Sequence, residues 1–337
     1  MNLIQSLIKN YFLYPSHNAY KTIKMAEIFL KNNGAEITDN NEKYEELIKI
    51  NSIKELEDNI NLSHLFYKIQ IYGKKTREIC RNLSILEGRN FNELKILNLY
   101  NLKLNDISSI SNCSFPKLEK LDFECNELTD NCLNVIETLK LPHLKLISFF
   151  DNKLTSLKIF EVIKNFKSLE TFYIGKNLFN INESLKHNIM YELPPNIIEL
   201  GIIYNFNEET NKFITNYLNI ENIKILFISG NEFTTFKDFK KIKFKHLDFF
   251  WSMGDKNQKR LTNINEIEYL QSKETIKKIV LKGNKINNIE DIVKIIHKFP
   301  KLEILNIKDN GIEKERIENV IKILKEKGFI NLEIQYN

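Results

Sequence analysis

The sequence predicts an α/β solenoid in which a curved parallel β-sheet lines the concave face, helices line the convex face and a helical segment caps the N-terminus. Three observations predict this fold. A pattern of apolar positions ending in an asparagine turn recurs along the chain, for example at residues 301–312 (KLEILNIKDNGI) and 275–286 (TIKKIVLKGNKI). Between the copies, apolar residues recur three or four positions apart, as on one face of a helix. The first 65 residues lack the pattern.

The recurring pattern, LxxLxLxxNxL, defines the length of the solenoid. A degenerate copy starts at Phe66, and the mean spacing of the other copies is about 26 residues, which lies within the range of solenoid repeats. A single unit cannot bury its apolar side alone, so the units stack and their strands pair in parallel. We therefore assign residues 66–337 to about ten to eleven repeats. The ten clear copies start at Leu94, Leu118, Leu144, Leu169, Ile197, Ile223, Phe244, Ile276, Leu302 and Phe329.

Each copy predicts one short strand followed by a fixed turn. Positions four and six alternate with outward neighbours, as in a strand with one buried face. The asparagine amide at position nine can bind backbone groups where the chain leaves the strand, so we interpret it as structural. Leu102 and Ser252 replace it in two copies and predict irregular turns there. The asparagines are Asn126, Asn152, Asn177, Asn205, Asn231, Asn284, Asn310 and Asn337.

This template resembles the leucine-rich repeat. Residues 289–299 (IEDIVKIIHKF) and 313–327 (EKERIENVIKILKEK), the latter followed by Gly328, predict convex helices. With its repeat length, the pattern is similar to the ribonuclease-inhibitor-like horseshoe subclass. The resemblance implies a protein-binding module that acts through its concave face, with inhibition of the partner as one role suggested by analogy.

Residues 1–65 differ in texture from the repeats. Residues 19–30 (AYKTIKMAEIFL) and 41–60 (NEKYEELIKINSIKELEDNI) predict helices separated near Gly34. We interpret residues 1–65 as a helical cap over the open face of the first strand. An adaptor resembling an F-box is the alternative, although the segment lacks the Leu-Pro start of that module.

Composition excludes several function classes. The 49 basic and 44 acidic residues leave a net charge of +5, which is too small to indicate a nucleic-acid partner by itself. Four cysteines without a CxxC pair predict a reducing compartment and no zinc site. No stretch is long and apolar enough to cross a membrane. These features predict a cytoplasmic protein, and delivery into a host cell by a specialised secretion system is compatible with them.

A search for catalytic chemistry finds no site. The six histidines show no HxxxH or HExxH spacing, and no phosphate-binding or nucleophile motif is present. Asp122 and Glu124 share one face of a predicted strand, as a general acid and base would, but we interpret them as a solvated or partner-facing acidic patch. We predict no enzymatic activity, no catalytic residue, no cofactor and no metal.

Outward strand positions five and seven carry more aromatic residues than a purely structural face requires. Exposed apolar surface of this kind marks interaction sites. The alternative is that the rings pack on one another across the strands. The long step from Phe244 to Ile276 adds a basic loop beside Trp251. We predict a partner-binding surface formed by Tyr100, Phe150, Tyr173, Ile203, Tyr204, Phe227, Phe250, Trp251, Lys259 and Lys282.

Charge along this face predicts how a partner would be oriented. The early repeats place acidic residues such as Asp122 and Glu124 on it, whereas the later repeats place Lys282 and Lys308 there. Binding to nucleic acid as part of a ribonucleoprotein is an alternative function, since lysines and aromatics can track phosphates and stack bases. A scaffold or an effector that engages a host protein is a third. The strand at residues 329–336 predicts a homodimer through edge pairing.

Overall fold

Short parallel strands stacked side by side form the frame of the protein. The computed structural model describes residues 48–73, 80–179, 189–203, 208–254 and 260–337. Residues 48–337 make up one unit of the chain. The helix predicted at residues 19–30 and two predicted site residues, Tyr204 and Lys259, lie outside the described residues.

Twelve of the described strands form one parallel sheet, in which neighbours along the chain are neighbours in space. The exceptions are β7 and β9, which lie outside this sheet and pair in parallel with each other. The strands are β1 (Ile48–Ile50), β2 (Phe66–Tyr72), β3 (Ile96–Tyr100), β4 (Lys120–Asp122), β5 (Leu146–Ser148), β6 (Thr171–Tyr173), β7 (Tyr191–Glu192), β8 (Glu199–Gly201), β9 (Leu218–Asn219), β10 (Ile225–Phe227), β11 (Phe249–Trp251), β12 (Lys278–Val280), β13 (Ile304–Asn306) and β14 (Glu333–Gln335).

The strand register confirms the repeat pattern for most copies, the degenerate one at Phe66 included. Residues at position four point into the core: Leu97, Leu121 and Ile147 have no exposed surface. Residues at position five form a lateral row on the other side of the sheet, which we call the concave face. From β3 to β14, this row five consists of Asn98, Asp122, Ser148, Tyr173, Gly201, Phe227, Trp251, Val280, Asn306 and Gln335.

The register of β11 differs from the sequence prediction by three residues. Trp251, rather than Asp248, pairs with Phe227 and Val280 in row five. Phe250 was predicted on the concave face, but it is fully buried on the core side. Phe249, Phe250 and Trp251 are all aromatic, so the alternation that defines the phase of a strand is absent from the sequence.

The same shift moves Ser252 out of the asparagine turn. With Trp251 in row five, Ser252 occupies position six, next to the strand, and is 5% exposed. Its backbone N–H donates to the carbonyl of Val280, which continues the strand pairing. The interpretation of Ser252 as a substituted asparagine is therefore wrong.

The last strand is displaced by two residues. Gln335, rather than Glu333, pairs with Asn306 in row five, and Ile334 takes the buried position. Asn337 is then too early in its copy to occupy the asparagine turn, and its Nδ2 donates to Asp309 Oδ1 at 2.9 Å.

The asparagine turns have the structural role that the sequence predicts. Asn126 Oδ1 accepts from the backbone N–H groups of Leu102 and Leu104 at 2.9 and 3.1 Å, while its Nδ2 donates to the carbonyl of Leu99 at 2.7 Å. Each such side chain therefore ties its turn to the preceding repeat and satisfies buried backbone groups. Asn152, Asn177, Asn284 and Asn310 make the corresponding bonds.

The segments that connect the strands contain short α-helices and 3-10 turns. Residues 289–299, predicted as one helix, form a 3-10 turn, a single α-helical turn and a second 3-10 turn. The helix predicted over residues 313–327 forms over Lys314–Glu326, and Gly328 lies just beyond it with a φ of 93°, as expected of a C-terminal glycine. The α-helices within the described residues are α1 (Ile53–Asn59), α2 (Asn131–Thr138), α3 (Lys158–Ile163), α4 (Glu208–Asn216), α5 (Ile292–Ile295) and α6 (Lys314–Glu326).

The start of the described chain differs from the helix predicted over residues 41–60. Within the described part of this range, Ile48–Ile50 form a strand that pairs with β2, and Ile53–Asn59 form a helix. Residues 41–47 lie outside the described residues. Ile50 is 1% exposed whereas Lys49 is exposed, so this short segment follows the period of a strand. The helix prediction is wrong at these three residues, and the cap boundary at residue 65 stays a prediction.

Candidate functional site

The middle of the concave face is filled by four aromatic side chains, which we call the aromatic cluster: Tyr173, Phe227, Phe249 and Trp251. The ring centroid of Phe227 lies 6.5 Å from that of Tyr173, 5.4 Å from that of Phe249 and 5.7 Å from that of Trp251. The ammonium of Lys278 lies 5.1 Å from the centroid of Phe249 and 6.0 Å from that of Trp251. These are distances at which rings and cations stabilise one another.

Tyr173 reaches Phe227 across the intervening strand β8 because β8 has a glycine in row five. A Cβ on Gly201 would lie 2.6 Å from Tyr173 Cδ1, so the ring occupies the space of the absent side chain. The Tyr173 hydroxyl donates to Oε1 of Glu199, which lies on β8 with Gly201. Burial raises the pKa of Glu199, while the bond from Tyr173 acts in the opposite direction. Burial also raises the pKa of Tyr173, which stays a neutral donor.

Mutual packing leaves these predicted site residues little accessible surface. Tyr173, Phe227 and Trp251 are 8%, 1% and 6% exposed, and Ile203 at the end of β8 is 7% exposed. The expectation of an exposed apolar stripe is therefore wrong at the centre of the face. There, the rings pack on one another across the strands, as the alternative interpretation predicted. Binding of a partner by these residues stays a prediction.

Nearer the N-terminus, the concave face carries a second group, which we call the acidic–aromatic patch: Tyr100, Asp122, Glu124, Phe150 and Asp151. Tyr100, Glu124 and Phe150 lie two residues beyond row five on adjacent strands. The backbone ladder continues there, since Asn101 N–H donates to Glu124 O at 3.0 Å and Cys125 N–H donates to Phe150 O at 2.8 Å. A carboxylate therefore lies between two half-buried rings.

The two strand carboxylates of the patch are held by polar neighbours. Asp122 Oδ2 accepts from Asn98 Nδ2 at 2.8 Å and from Lys120 Nζ at 3.0 Å. Ser148 Oγ donates to Glu124 Oε1 at 2.8 Å. Burial alone would lower the pKa of Lys120, but the charges of Asp122 and Glu124 raise it, so Lys120 stays cationic.

The remaining members of the patch lie around Cys125, which adopts a left-handed turn conformation with a φ of 58°. Tyr100 and Asp151 both lie close enough to the Cys125 thiol to affect its pKa. Burial is the main cause that raises the pKa of Cys125 to about 12 and that of Tyr100 above its ordinary value. Both groups therefore stay neutral. Asp151 Oδ2 also pairs with Lys176 Nζ at 2.6 Å.

The patch contains ion pairs and one buried acceptor without a donor. Asp122 pairs with Lys120, and Asp151 pairs with Lys176. Asn98 is 2% exposed, and its Oδ1 accepts no hydrogen bond although its Nδ2 is bonded to Asp122. A buried acceptor without a donor is unfavourable, so Asn98 lowers the stability of this part of the sheet.

The later part of the concave face carries several lysines, three of which contact acidic or aromatic side chains. Lys282, a predicted site residue, pairs with Asp309 at 3.3 Å. Lys277 lies 3.7 Å from Asp248, and Lys278 contacts the aromatic cluster. The predicted change of charge along the face is therefore weaker at its basic end, because these cations are partly neutralised or packed.

Sequence reasoning missed Gln70 and Tyr72 on β2, which extend the concave face beyond Tyr100. Tyr72 pairs with Tyr100, and their ring centroids are 5.9 Å apart. Gln70 pairs with Asn98 in row five and donates to the Tyr72 hydroxyl. The alternation of FYKIQIY could have placed both residues, but the copy at Phe66 lacks the asparagine that fixes the phase.

Searches for a metal site and for a membrane span cover the described residues only. Among them, no group of three or more His, Cys, Asp or Glu side chains is arranged to hold a metal ion. No helix within the described ranges is long and apolar enough to span a bilayer.

The chain was compared with family models, curated proteins and solved structures. No family model matches the chain. It is 26% identical over 266 residues to an uncharacterized leucine-rich repeat-containing protein of Amsacta moorei entomopoxvirus, a match that covers 71% of this chain. It also covers 51% of the relative, so the chain spans about half the length of the curated relative that it matches.

Two solved structures are similar over most of the chain. Internalin C2 of Listeria monocytogenes is 14% identical with a TM-score of 0.37, covering 73% of this chain and 82% of its own. A leucine-rich repeat protein of Leptospira interrogans is 17% identical with a TM-score of 0.40, covering 86% and 81%. The ribonuclease-inhibitor-like subclass is not confirmed by these relatives. The repeated template, the parallel ladder with its asparagine turns and the viral relative identify the chain as a leucine-rich repeat protein.

Proposed function

We propose that the protein is a non-enzymatic recognition module that binds another protein through its concave face. The observation that carries this proposal is the acidic–aromatic patch, where the half-buried rings of Tyr100 and Phe150 flank Glu124. Aromatic side chains next to charged groups are typical anchors of protein interfaces.

The same geometry supports inhibition as the consequence of binding, because a bound module can cover a partner's active site without any chemistry of its own. We also propose that the protein acts in the cytoplasm. No specific observation favours nucleic acid, since Lys282, Lys277 and Lys278 are engaged by Asp309, Asp248 and the aromatic cluster.

A pull-down from native cytosol tests the proposal. Wild type is compared with Tyr100→Ala/Phe150→Ala and with Tyr269→Ala, which removes a half-buried ring from the 3-10 turn at Ile264–Tyr269. We expect a protein that is retained by wild type and Tyr269→Ala, lost by the double variant and insensitive to nuclease. Loss after nuclease treatment would contradict a protein partner, and full retention by the double variant would contradict the site.

A further inference from the structure

We propose that a lysine-rich surface, at the edge of the solenoid where the chain enters the strands of the later repeats, docks onto an anionic lipid surface. We call it the lysine flank and define it as residues 237–245, 271–275 and 297–301, which precede β11, β12 and β13 in that order. These segments carry eight lysines and two carboxylates. They belong to other repeats than the acidic–aromatic patch, so the inference does not depend on recognition by the concave face.

Hydrogen bonds hold the first two segments of the lysine flank side by side. Ser272 Oγ donates to the carbonyl of Phe244 at 2.6 Å, and Thr275 Oγ1 donates to the carbonyl of Leu247 at 2.8 Å. Both bonds tie the turn that contains Lys273 to the preceding repeat. The lysines of neighbouring repeats are therefore fixed next to one another rather than spread over separate loops.

Positive charge prevails where the segments meet. Partial burial is the main cause that lowers the pKa of Lys273, and the charges of Lys298 and Lys240 act in the same direction, against those of Glu268 and Glu274. Glu268 already pairs with Lys298, since its Oε1 lies 3.0 Å from the Lys298 ammonium. Lysines from three successive repeats thus lie close together, and an anion that approaches them relieves their repulsion.

The cations of the lysine flank are mostly without acidic partners. Among the described residues, Lys240, Lys243 and Lys273 form no ion pair, whereas Lys241 pairs with Asp238 at 3.2 Å. Lys240 and Lys243 are also exposed. Their charges are therefore accessible to an anionic surface outside the protein.

The composition of the lysine flank indicates which anionic surface it fits. Its apolar residues Phe239, Ile242, Phe244 and Phe299 are buried, and its segments contain no arginine. A protein partner is anchored by apolar, aromatic or arginine side chains, and nucleic acid is read and stacked by arginines and rings. An anionic lipid leaflet requires only that several basic side chains approach it together. Lipid is therefore the partner whose chemistry matches this surface.

Flotation of the full chain with lipid vesicles tests the proposal. Vesicles of phosphatidylcholine with phosphatidylserine present an anionic surface, and vesicles of phosphatidylcholine alone are the neutral control. We expect the protein to float with the anionic vesicles only and to be released as the salt concentration rises, because salt screens exposed charges. Failure to bind the anionic vesicles, or equal binding to both kinds, would overturn the proposal.

Two variants of equal net charge locate the contact. Lys240→Gln/Lys243→Gln removes two charges from the lysine flank, whereas Lys140→Gln/Lys322→Gln removes two charges elsewhere, and all four lysines are exposed. Each lysine near an anionic leaflet strengthens binding by a factor of about five, so the first variant should bind at least about tenfold more weakly. The second should stay within about threefold of wild type. An equal loss in both would show that total charge, rather than this surface, attracts the protein, and would overturn the proposal.

Two further measurements separate the lipid contact from other binding. If the protein binds a fluorescent duplex oligonucleotide but does not float with anionic vesicles, the lysine flank is a nucleic-acid surface and the proposal is overturned. The Tyr100→Ala/Phe150→Ala variant, which tests the proposed function, should float as wild type does. Loss of flotation in that variant would show that lipid binds the concave face instead, and would also overturn the proposal.

Discussion

The ring of Tyr173 lies where a side chain on Gly201 would otherwise be, with Tyr173 Cδ1 2.6 Å from the position of the missing Cβ. This contact lets one strand reach past its neighbour, so that Tyr173 and Phe227 meet across β8. The aromatic cluster therefore depends on the absence of a side chain at Gly201.

Gly201→Ala should destabilise the protein by about 1–3 kcal/mol, because the ring of Tyr173 must leave Phe227 or the strands must separate. Urea unfolding, followed by far-UV circular dichroism, measures the change. In a Tyr173→Ala background the same substitution should cost much less, since the clashing ring is gone. An equal cost in both backgrounds would show that the ring does not fill this space.

Asn152→Ala should lower the free energy of unfolding by about 2–4 kcal/mol, because it leaves buried backbone groups without partners. Asn152 Oδ1 accepts from Leu128 N–H at 3.0 Å, and its Nδ2 donates to Phe123 O at 2.9 Å. Asn337→Ala is the matched control. Within the described residues, the side chain of Asn337 makes one hydrogen bond, to the exposed Asp309. A similar loss for both variants would contradict the register of the last strand.

The repeat architecture was predictable because an asparagine turn indicates the phase of most copies. Where Asn126, Asn152 and Asn177 are present, the predicted and observed strand positions coincide. In residues 244–254 no asparagine follows the strand, and three consecutive aromatic residues remove the alternation. The phase was consequently wrong there, and Phe250 was predicted on the wrong face.

The candidate site was less predictable than the fold because exposure depends on neighbours across strands. Nothing near Tyr173 in the sequence indicates that Gly201, 28 residues later, provides space for its ring. The acidic patch was visible as Asp122 and Glu124, but its lysine partner and its orphan acceptor follow only from the register.

Intrinsic fluorescence should report the burial of Trp251, the single tryptophan of the chain. At 6% exposure, its emission should be blue-shifted relative to free tryptophan and weakly quenched by acrylamide. Unfolding in urea should shift the emission to the red and restore quenching. Emission like that of a solvated indole in the native protein would contradict the packed aromatic cluster.

Asp291 should make stability depend on pH in the acid range. Hydrogen bonds from Lys294, Asn288 and Asn265 lower its pKa to about 2, below the ordinary value of 3.8. A depressed carboxyl pKa contributes stability above pH 4 that is lost as the pH falls toward 2. The stability difference between wild type and Asp291→Asn should therefore shrink from pH 5 to pH 2 in urea titrations. A difference that stays constant over this range would contradict the assignment.

Site-specific photo-crosslinking tests most directly whether the concave face is the contact surface. A benzoylphenylalanine at position 150 places the reactive group in the acidic–aromatic patch, and the same residue at position 269 places it on the connecting 3-10 turn. After irradiation in native cytosol, the account predicts a protein adduct at position 150 and none at 269. An adduct at 269 alone, or none at either position, would contradict concave-face recognition.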